Sequence, residues 1–392
     1  MTRAARLRTV SALGIIEIFA WGTSFYLIAV LAGPIGAETG WSGAAISAGV
    51  SLGLLVSGLF ASLVGRRIER HGGRPVLAVG MVLLACGLGL LGLSRSLPAY
   101  YLAWAIMGAG MSCGLYDAAF STLGRIFGRD ARSAITQLTL WGGFASTVCW
   151  PLSAWLVEAV GWRSACFAYA GFHLVVTLPL ALLAIPRAEP PPRGVPRRPL
   201  PVAAAVPVTD MRFLCLATAG VVLAMLSTIW SVHFVSILTA TGYGVPAAIA
   251  IGTLIGPAQV AARVLEMMGR GRHHPVWTML ASTSAVVAGF SGLLFGLPAA
   301  LAMIAWGAGN GLWSIARGAL PLSVFGSEGY ARTMGRLATP VLISSAAAPS
   351  IGALMKDVLT ADAMLGVMAT ASIIPLAMAL VLLRHKRPVL AV

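Results

Sequence analysis

Several ionisable side chains lie inside long apolar stretches of this sequence, among them Glu17, Asp117, His233, Arg263 and Arg317. A charge is costly within hydrocarbon, so such residues usually face a cavity or one another and mark routes for ions and substrates. A guanidinium binds anionic groups, whereas a carboxyl or an imidazole can carry a proton. These residue types therefore predict binding of a charged solute together with proton transfer.

The sequence lacks the common motifs of hydrolytic and nucleotide-dependent enzymes. It contains no His-Glu-x-x-His, no Cys-x-x-Cys and no glycine-rich phosphate loop. Its five cysteines fall within or at the ends of apolar stretches, and an odd number so placed does not indicate a disulfide framework. We therefore expect neither an enzyme nor a bound metal or cofactor.

The composition indicates a membrane protein. Hydrophobic residues make up 58% of the 392 residues and charged residues only 10%, against roughly 25% charged in soluble domains. The net charge is +15, yet the basic residues lie almost wholly in the short breaks between apolar runs. This placement favours membrane lipid, rather than nucleic acid, as the partner.

Apolar stretches of about twenty residues, the length that crosses a ~30 Å hydrocarbon layer, recur along the whole chain. Six precede and six follow a proline- and arginine-rich segment that cannot continue a helix. The sequence predicts an all-α polytopic membrane protein with an N-terminal six-helix bundle (1–185), a cytoplasmic linker (186–211) and a C-terminal six-helix bundle (212–392). The twelve predicted spans are 11–33, 43–64, 75–94, 98–124, 134–158, 162–185, 212–240, 245–267, 276–296, 299–322, 335–356 and 361–383.

Most of the 27 basic residues fall on one side of the predicted membrane. They lie at both termini, in the linker and in loops that follow even-numbered spans. Because cytoplasmic loops collect lysine and arginine, we expect both termini in the cytoplasm. With no convincing signal-peptide pattern, the sequence predicts an integral protein of a bacterial inner membrane.

An internal repeat relates the two halves. The tripeptide Leu-Pro-Ala at 97–99 recurs at 297–299. Two halves in the same orientation are typical of transporters built on a parallel repeat about the membrane normal. Asp117 and Arg317 follow these tripeptides at equal spacing, so we expect them at equal depth in the fourth and tenth spans.

The stretch GRRIERHGGRPV (65–76) concentrates charge between the second and third spans. It resembles the signature of the major facilitator superfamily at that place, with Glu69 where aspartate is commoner and Gly73 where a basic residue is usual. The resemblance covers the whole chain through the twelve-span layout and the repeat. It implies a secondary active transporter that binds a small-molecule substrate and works as a monomer by alternating access.

A gate is expected at this signature. Its glycines permit a tight turn, and its carboxylate can hold arginines and helix ends while the cytoplasmic side is closed. We therefore assign Glu69, Arg70 and Arg74 to a gate, the alternative being that the arginines only set topology.

The eighth span adds two gate candidates, Gln259 and Arg263. The run GPAQVAARVLE loosely resembles the monocarboxylate-porter pattern, in which an acidic residue precedes an arginine by four. Here Gln259 takes the acidic position. The alternative for Arg263 is a local pair with Glu266.

In this superfamily helices 1, 4, 7 and 10 line the central cavity, so the resemblance implies where substrate binds. On the tenth span Asn310, Ser314 and Arg317 share one face, and we assign them to substrate binding. A further set of aromatic and polar side chains would complete the walls: Trp21, Tyr116, Gln137, Trp141 and Trp230.

Glu17, Asp117 and His233 are the candidates for proton coupling, since apolar surroundings penalise an ionised carboxyl and imidazole titrates near neutrality. Other roles stay open. Asp117 could form a static ion pair with Arg317, Glu17 could reach the membrane interface, and His233 could be a neutral, hydrogen-bonded side chain. We interpret His173 as structural.

The sequence therefore predicts a transporter of a small organic solute, anionic or polar, coupled to protons. The alternative is proton-driven efflux of drugs or arsenicals. The run GGFASTVCWPLSAW keeps Pro151 of a drug-exporter motif but not all of its glycines, and an arsenical site would need Cys113, Cys149 and Cys166 to converge. A third possibility is a membrane receptor that binds without translocating.

Overall fold

The computed structural model describes residues 2–187, 206–269 and 272–384, and these residues are mostly helical, with no β-strand among them. Most of the predicted linker lies outside the described residues. The helices of the first part are α1 (Arg3–Gly22), α2 (Ile28–Thr39), α3 (Gly43–His71), α4 (Gly73–Leu93), α5 (Leu97–Gly114), α6 (Tyr116–Phe127), α7 (Ala131–Gly143), α8 (Ala145–Phe172) and α9 (Leu178–Ala184). Those that follow are α10 (Met211–Ala240), α11 (Val245–Gly252), α12 (Ile255–Met268), α13 (Pro275–Leu294), α14 (Ala299–Phe325), α15 (Tyr330–Val358) and α16 (Ala361–Arg384).

The chain forms two compact units. The first comprises Met1–Ala205 and Ser327–Ala346, and the second comprises Val206–Gly326 and Ala347–Val392. Within the first unit α4 packs against α5 and α8, α3 packs against α5, and α1 packs against α7 and α8. Within the second unit α13 packs against α14 and α16, α12 against α14, and α10 against α16.

Among the described residues, nine helices are long and apolar enough to cross a membrane, by length and composition. The predicted count of twelve differs for two reasons. The first and fourth predicted spans are interrupted, which leaves shorter or less apolar segments, and the fifth and sixth run together as the single helical stretch Ala131–Ala184. The count of twelve and the cytoplasmic termini stay predictions.

The first predicted span (11–33) is broken between α1 and α2. Thr23 and Ser24 each turn a hydroxyl back onto a carbonyl of the preceding turn, that of Phe19 and of Ala20 respectively. Such back-bonding offers the backbone an alternative to its helical ladder and bends helices. The expectation of one continuous helix here is therefore wrong.

The fourth predicted span (98–124) is broken at Leu115, whose backbone is extended between α5 and α6 (φ −92°, ψ −177°). Gly114 directly precedes it, and a glycine weakens a helix because it loses the most backbone freedom on folding. The break makes Asp117 the second residue of a new helix. A carboxylate in a helix's first turn is stabilised by the helix dipole.

Three other irregularities lie in predicted spans, and a fourth lies in a predicted loop. Phe144 separates α7 from α8, and Thr253–Leu254 separate α11 from α12. Gly161, with φ of 80°, kinks α8 where a loop between the fifth and sixth spans was predicted. His173–Thr177 form a π-helical turn between α8 and α9.

A clamp of polar side chains fastens the C-terminal end of α2 to the kink of α8. Arg163 Nε donates to Glu38 Oε1 at 2.9 Å, and the Trp162 indole N–H donates to Glu38 Oε2 at 2.6 Å. Arg163 also donates through Nη1 to the carbonyls of Gly92 and Ser94, at 2.9 Å and 2.6 Å, just where α4 ends. Three segments of the first unit are thereby joined at one point.

The hydrogen bond from Arg163 holds the pKa of Glu38 below its ordinary value, opposed by burial and reinforced by Trp162. Glu38 lies beyond the predicted span. Its ionised form therefore contributes stability that is present above the unfolded pKa of about 4.3 and is lost as the pH falls through the lower folded value.

We expect Glu38→Gln to lower the melting temperature of the detergent-purified protein at pH 7, with a difference from wild type that shrinks as the pH approaches 3. The loss should stay within ~1 kcal/mol, because the side chains of Glu38 and Arg163 are 50% and 27% exposed. Glu158→Gln, at an exposed carboxylate of the same α8, is the matched control. Equal effects of the two substitutions at pH 7 would contradict the clamp.

Candidate functional site

The carboxyl of Glu17 is completely buried on α1. Its Oε2 accepts a hydrogen bond of 2.9 Å from the indole Nε1 of Trp21, one turn further along the same helix. This is the pairing that the spacing of four residues allows. The first unit therefore holds a buried acidic group that accepts a hydrogen bond from an indole N–H.

An aromatic cluster surrounds the Trp21 ring. The ring centroids of Phe25, Tyr26 and Tyr116 lie 5.6, 6.0 and 5.3 Å from that of Trp21. Tyr116 in turn stacks on Phe120 at 5.0 Å. Two of the predicted cavity-wall residues, Trp21 and Tyr116, are therefore in direct contact.

Two glycines provide the space for these aromatic rings. A Cβ at Gly142 on α7 would overlap the Tyr116 hydroxyl, and one at Gly14 on α1 would overlap the Trp141 ring. Tyr116 also donates a hydrogen bond of 3.4 Å to the Thr139 carbonyl. The predicted wall residue Trp141 thus packs directly on the helix that carries Glu17, and half-buried Gln137 lies one turn before it on α7.

Asp117 is half-buried at the start of α6, directly after Tyr116. Its backbone carbonyl accepts a 2.6 Å hydrogen bond from the Ser121 hydroxyl. The acidic candidate of the fourth span is therefore placed by a helix start that the sequence did not predict.

In the second unit, α10 and α14 are joined by a polar contact. Ser227 Oγ donates to Asn310 Oδ1 at 3.3 Å. Because α14 is continuous from Ala299 to Phe325, Asn310, Ser314 and half-buried Arg317 keep the shared face that their spacing predicts. The hydroxyl of Ser314 is directed to the Gly311 carbonyl at 2.7 Å.

Two of the predicted residues, Trp230 and His233, lie on α10. Trp230 is completely buried, with the rings of Phe290, Phe234 and Trp306 at 5.4, 6.2 and 6.4 Å. His233 Nε2 lies 3.2 Å from the Pro349 carbonyl and so carries the proton of that hydrogen bond. Its ring is in contact with the α15 backbone.

Arg263 on α12 is buried against α14. Its Nε donates to the Gly311 carbonyl at 3.3 Å and its Nη2 donates to Gln259 Oε1 at 3.4 Å. Glu266 accepts hydrogen bonds from Thr278 Oγ1 at 2.8 Å and His273 Nε2 at 3.1 Å. The two predicted gate residues of the eighth span, Gln259 and Arg263, therefore contact each other.

At the predicted gate, α3 continues through the charged stretch to His71, and only Gly72, with φ of 81°, separates it from α4. Arg125 Nη1 donates to the Glu69 carbonyl. Arg70 is exposed at the end of α3, and Arg74 is half-buried in the first turn of α4.

Close packing of α3 on α15 adjoins this gate within the first unit. A Cβ at Gly65 would overlap the Ala331 carbonyl and lie 3.2 Å from Gly335 Cα. One turn earlier, the hydroxyls of Ser62 and Thr339 are 3.0 Å apart. The signature glycine therefore marks a place where two backbones approach closely.

The polar contacts of His173 in the first unit could not be predicted from the sequence. His173 is completely buried and lies within hydrogen-bonding distance of Thr23 and Thr177. No sequence pattern signals the π turn that places it there. Among the three cysteines of the arsenical alternative, Cys149 bonds the Ile18 carbonyl, and the described part of the chain has no group of three or more His, Cys, Asp or Glu residues suited to a metal ion.

We expect Gly142→Ala to destabilise the protein by about 1–3 kcal/mol, because the added methyl group must displace the Tyr116 ring. Gly171→Ala is the matched control, since a Cβ there meets nothing within 4 Å and alanine favours a helix by about 1 kcal/mol over glycine. The melting temperature in detergent should fall for the first variant and stay level or rise for the second. A fall of equal size in both would contradict the tight seat of Tyr116.

Comparison with known families matches residues 13–349 to the Major Facilitator Superfamily. A curated relative is Monocarboxylate transporter 11 of Mus musculus, 32% identical over 141 residues. This match covers 36% of the chain and 32% of the mouse protein, so the chain spans about a third of the length of that relative.

Two solved structures resemble the whole chain. The human organic anion transporter MFSD10 (TETRAN) has a TM-score of 0.75 at 14% identity, over 97% of this chain and 100% of that one. The proton:xylose symporter XylE, bound to 6-bromo-6-deoxy-D-glucose, has a TM-score of 0.72 at 11% identity, over 99% and 97%. At these identities the likeness shows the fold alone.

Proposed function

Since this chain belongs to the major facilitator superfamily, whose members are transporters and not enzymes, we propose that it moves a small organic solute by alternating access, coupled to protons. The solute is anionic or polar. The protein acts as a monomer in the inner membrane of a bacterium, with its two six-helix bundles (1–185 and 212–392) as the moving parts and 186–211 as their cytoplasmic linker.

The single observation that carries proton coupling is the complete burial of the Glu17 carboxyl beside the Trp21 indole. Ionised, a carboxyl in such surroundings carries a large desolvation penalty, and neutral it carries much less. Binding and release of a proton at Glu17 therefore change the energy of the first unit strongly. Asp117 and His233 are the further candidates for the proton route.

An anionic solute is favoured by the polar face of α14. Arg317 can form paired hydrogen bonds with a carboxylate, and Asn310, already bonded to Ser227, adds an amide on the same face. The similarity to a mouse protein named as a monocarboxylate transporter supports this chemistry. Trp21, Tyr116, Gln137, Trp141 and Trp230 would supply the walls, and Ser314 a further hydroxyl.

Gating is proposed at two places. Glu69, Arg70 and Arg74 flank the single-residue turn at Gly72, next to the close packing of α3 on α15. Arg263 and Gln259 brace α12 on α14. When the cytoplasmic side opens, the contacts at both gates would break and other contacts would form. Other proteins that switch between two states repack their helices in this way.

The substrate class is tested by the thermal stability of the purified protein with lactate, benzoate, tetraphenylphosphonium and arsenite. A ligand bound only by the folded state stabilises it by about 2.7 kcal/mol at 100 times its Kd. We expect stabilisation by the carboxylates, lost in Arg317→Ala and kept in the control Lys356→Ala, at an exposed position. Stabilisation by the cation or by arsenite instead would favour efflux of toxic compounds.

Coupling is tested in proteoliposomes that contain a pH-sensitive dye. We expect a carboxylate gradient to drive proton movement in wild type, and Glu17→Gln to abolish it while carboxylate exchange persists, because glutamine still accepts the Trp21 hydrogen bond but cannot carry a proton. Carboxylate-driven proton movement that survives in Glu17→Gln would remove the assigned role. Stabilisation by a ligand in the thermal assay, without transport of that ligand in proteoliposomes, would indicate a receptor.

A further inference from the structure

Three buried polar side chains meet where the first predicted span is interrupted. Thr23 follows the last residue of α1, and His173 and Thr177 are the first and last residues of the π turn. All three are completely buried. Together they form a Thr–His–Thr triad.

Both ring nitrogens of His173 have a hydroxyl partner. Nε2 lies 2.7 Å from Thr23 Oγ1, and Nδ1 lies 2.9 Å from Thr177 Oγ1. Each hydroxyl also has a backbone carbonyl in reach. Thr23 can donate to the carbonyl of Phe19 at 2.7 Å, and Thr177 to that of His173 at 3.1 Å.

Counting donors shows that a neutral ring satisfies the whole triad. If Nε2 carries the proton, it donates to Thr23, which donates to the Phe19 carbonyl, while Thr177 donates to Nδ1. If Nδ1 carries the proton, Thr23 donates to Nε2 and Thr177 donates to the His173 carbonyl. No polar atom of the triad is left unbonded in either tautomer, as buried groups require.

The triad ties together two irregular stretches of backbone. A π turn is rare and often lies at a functional site, and His173 bridges its two ends through Thr177. Through Thr23 the same ring restrains the interruption between α1 and α2, where Trp21 lies two residues before Thr23. Glu17 is one helical turn further back on the same α1.

We propose that His173 is a positioning residue, which fixes the end of α1 and thereby keeps the Trp21 indole on the Glu17 carboxyl. The ring acts through Thr23 and does not contact Glu17. That this positioning matters for transport rests on the proposed proton-carrying role of Glu17. That His173 positions Trp21 does not depend on that role.

The test is ¹⁹F NMR of the full-length protein in detergent, with 5-fluorotryptophan in place of tryptophan and the Trp21 line assigned by its loss in Trp21→Phe. Thr23→Val and His173→Leu should each shift the Trp21 line, and the double variant should add no further shift. Thr23→Ser, which keeps the hydroxyl, and His173→Gln, which keeps an N–H donor near the Nε2 position, should leave the line where wild type has it. The Trp306 line of the second unit is the internal control.

An unchanged Trp21 line in both Thr23→Val and His173→Leu would overturn the proposal, as would equal shifts in Thr23→Val and Thr23→Ser. Only variants that elute as the wild type does on size exclusion are compared, and Thr23→Ala replaces Thr23→Val if the latter does not fold. In the proteoliposome assay we expect the two conservative variants to keep proton movement and the two apolar ones to lose it. If the Trp21 line shifts as expected but wild type transports no carboxylate, the positioning role of His173 stands and the proposed function is rejected.

Discussion

Hydrocarbon offers no hydrogen-bond partners, so every backbone N–H and C=O within a span must be satisfied by the chain itself. That constraint decides where this chain can interrupt a helix. At the interruption after α1, Thr23 and Ser24 bond carbonyls of the preceding turn, and the Trp150 indole donates to the Tyr26 carbonyl at 3.2 Å. The irregular backbone is sustained by side chains from its own helix and from α8.

These interruptions concentrate polar and aromatic groups in the first unit. Trp21 adjoins the break after α1, Tyr116 begins the helix after Leu115, and Gly142 precedes the break at Phe144. Discontinuous helices are a recurrent way for transporters to build sites at membrane depth. Here the contacts of Trp21 with Tyr116, and of Tyr116 with Gly142, bring three such breaks together at the Tyr116 ring.

The sequence predicted the long helices well and the interruptions poorly. The predicted spans 212–240 and 361–383 nearly coincide with Met211–Ala240 and Ala361–Arg384, because glycine, proline or charge bounds each apolar run. The breaks depend instead on which side chains fill the space beside a small residue, as Cys149 does at Gly22. Apolar periodicity does not carry that information.

The candidate site divides in the same way. The Glu17–Trp21 bond follows from a spacing of four on one helix, so the sequence could predict it. The bonds of Ser227 with Asn310 and of His173 with Thr23 join residues far apart in the chain, and only the fold shows them. The family assignment from the stretch 65–76 is confirmed by the match over residues 13–349.

The connection between α3 and α4 has a mechanical consequence. Gly72 alone separates helices of 29 and 21 residues, so no slack exists between them. If α3 tilts, either the φ and ψ angles of Gly72 change or α4 tilts with it. Gly72 is therefore a one-residue hinge between α3 and α4, and Arg70 and Arg74 each lie two residues from it.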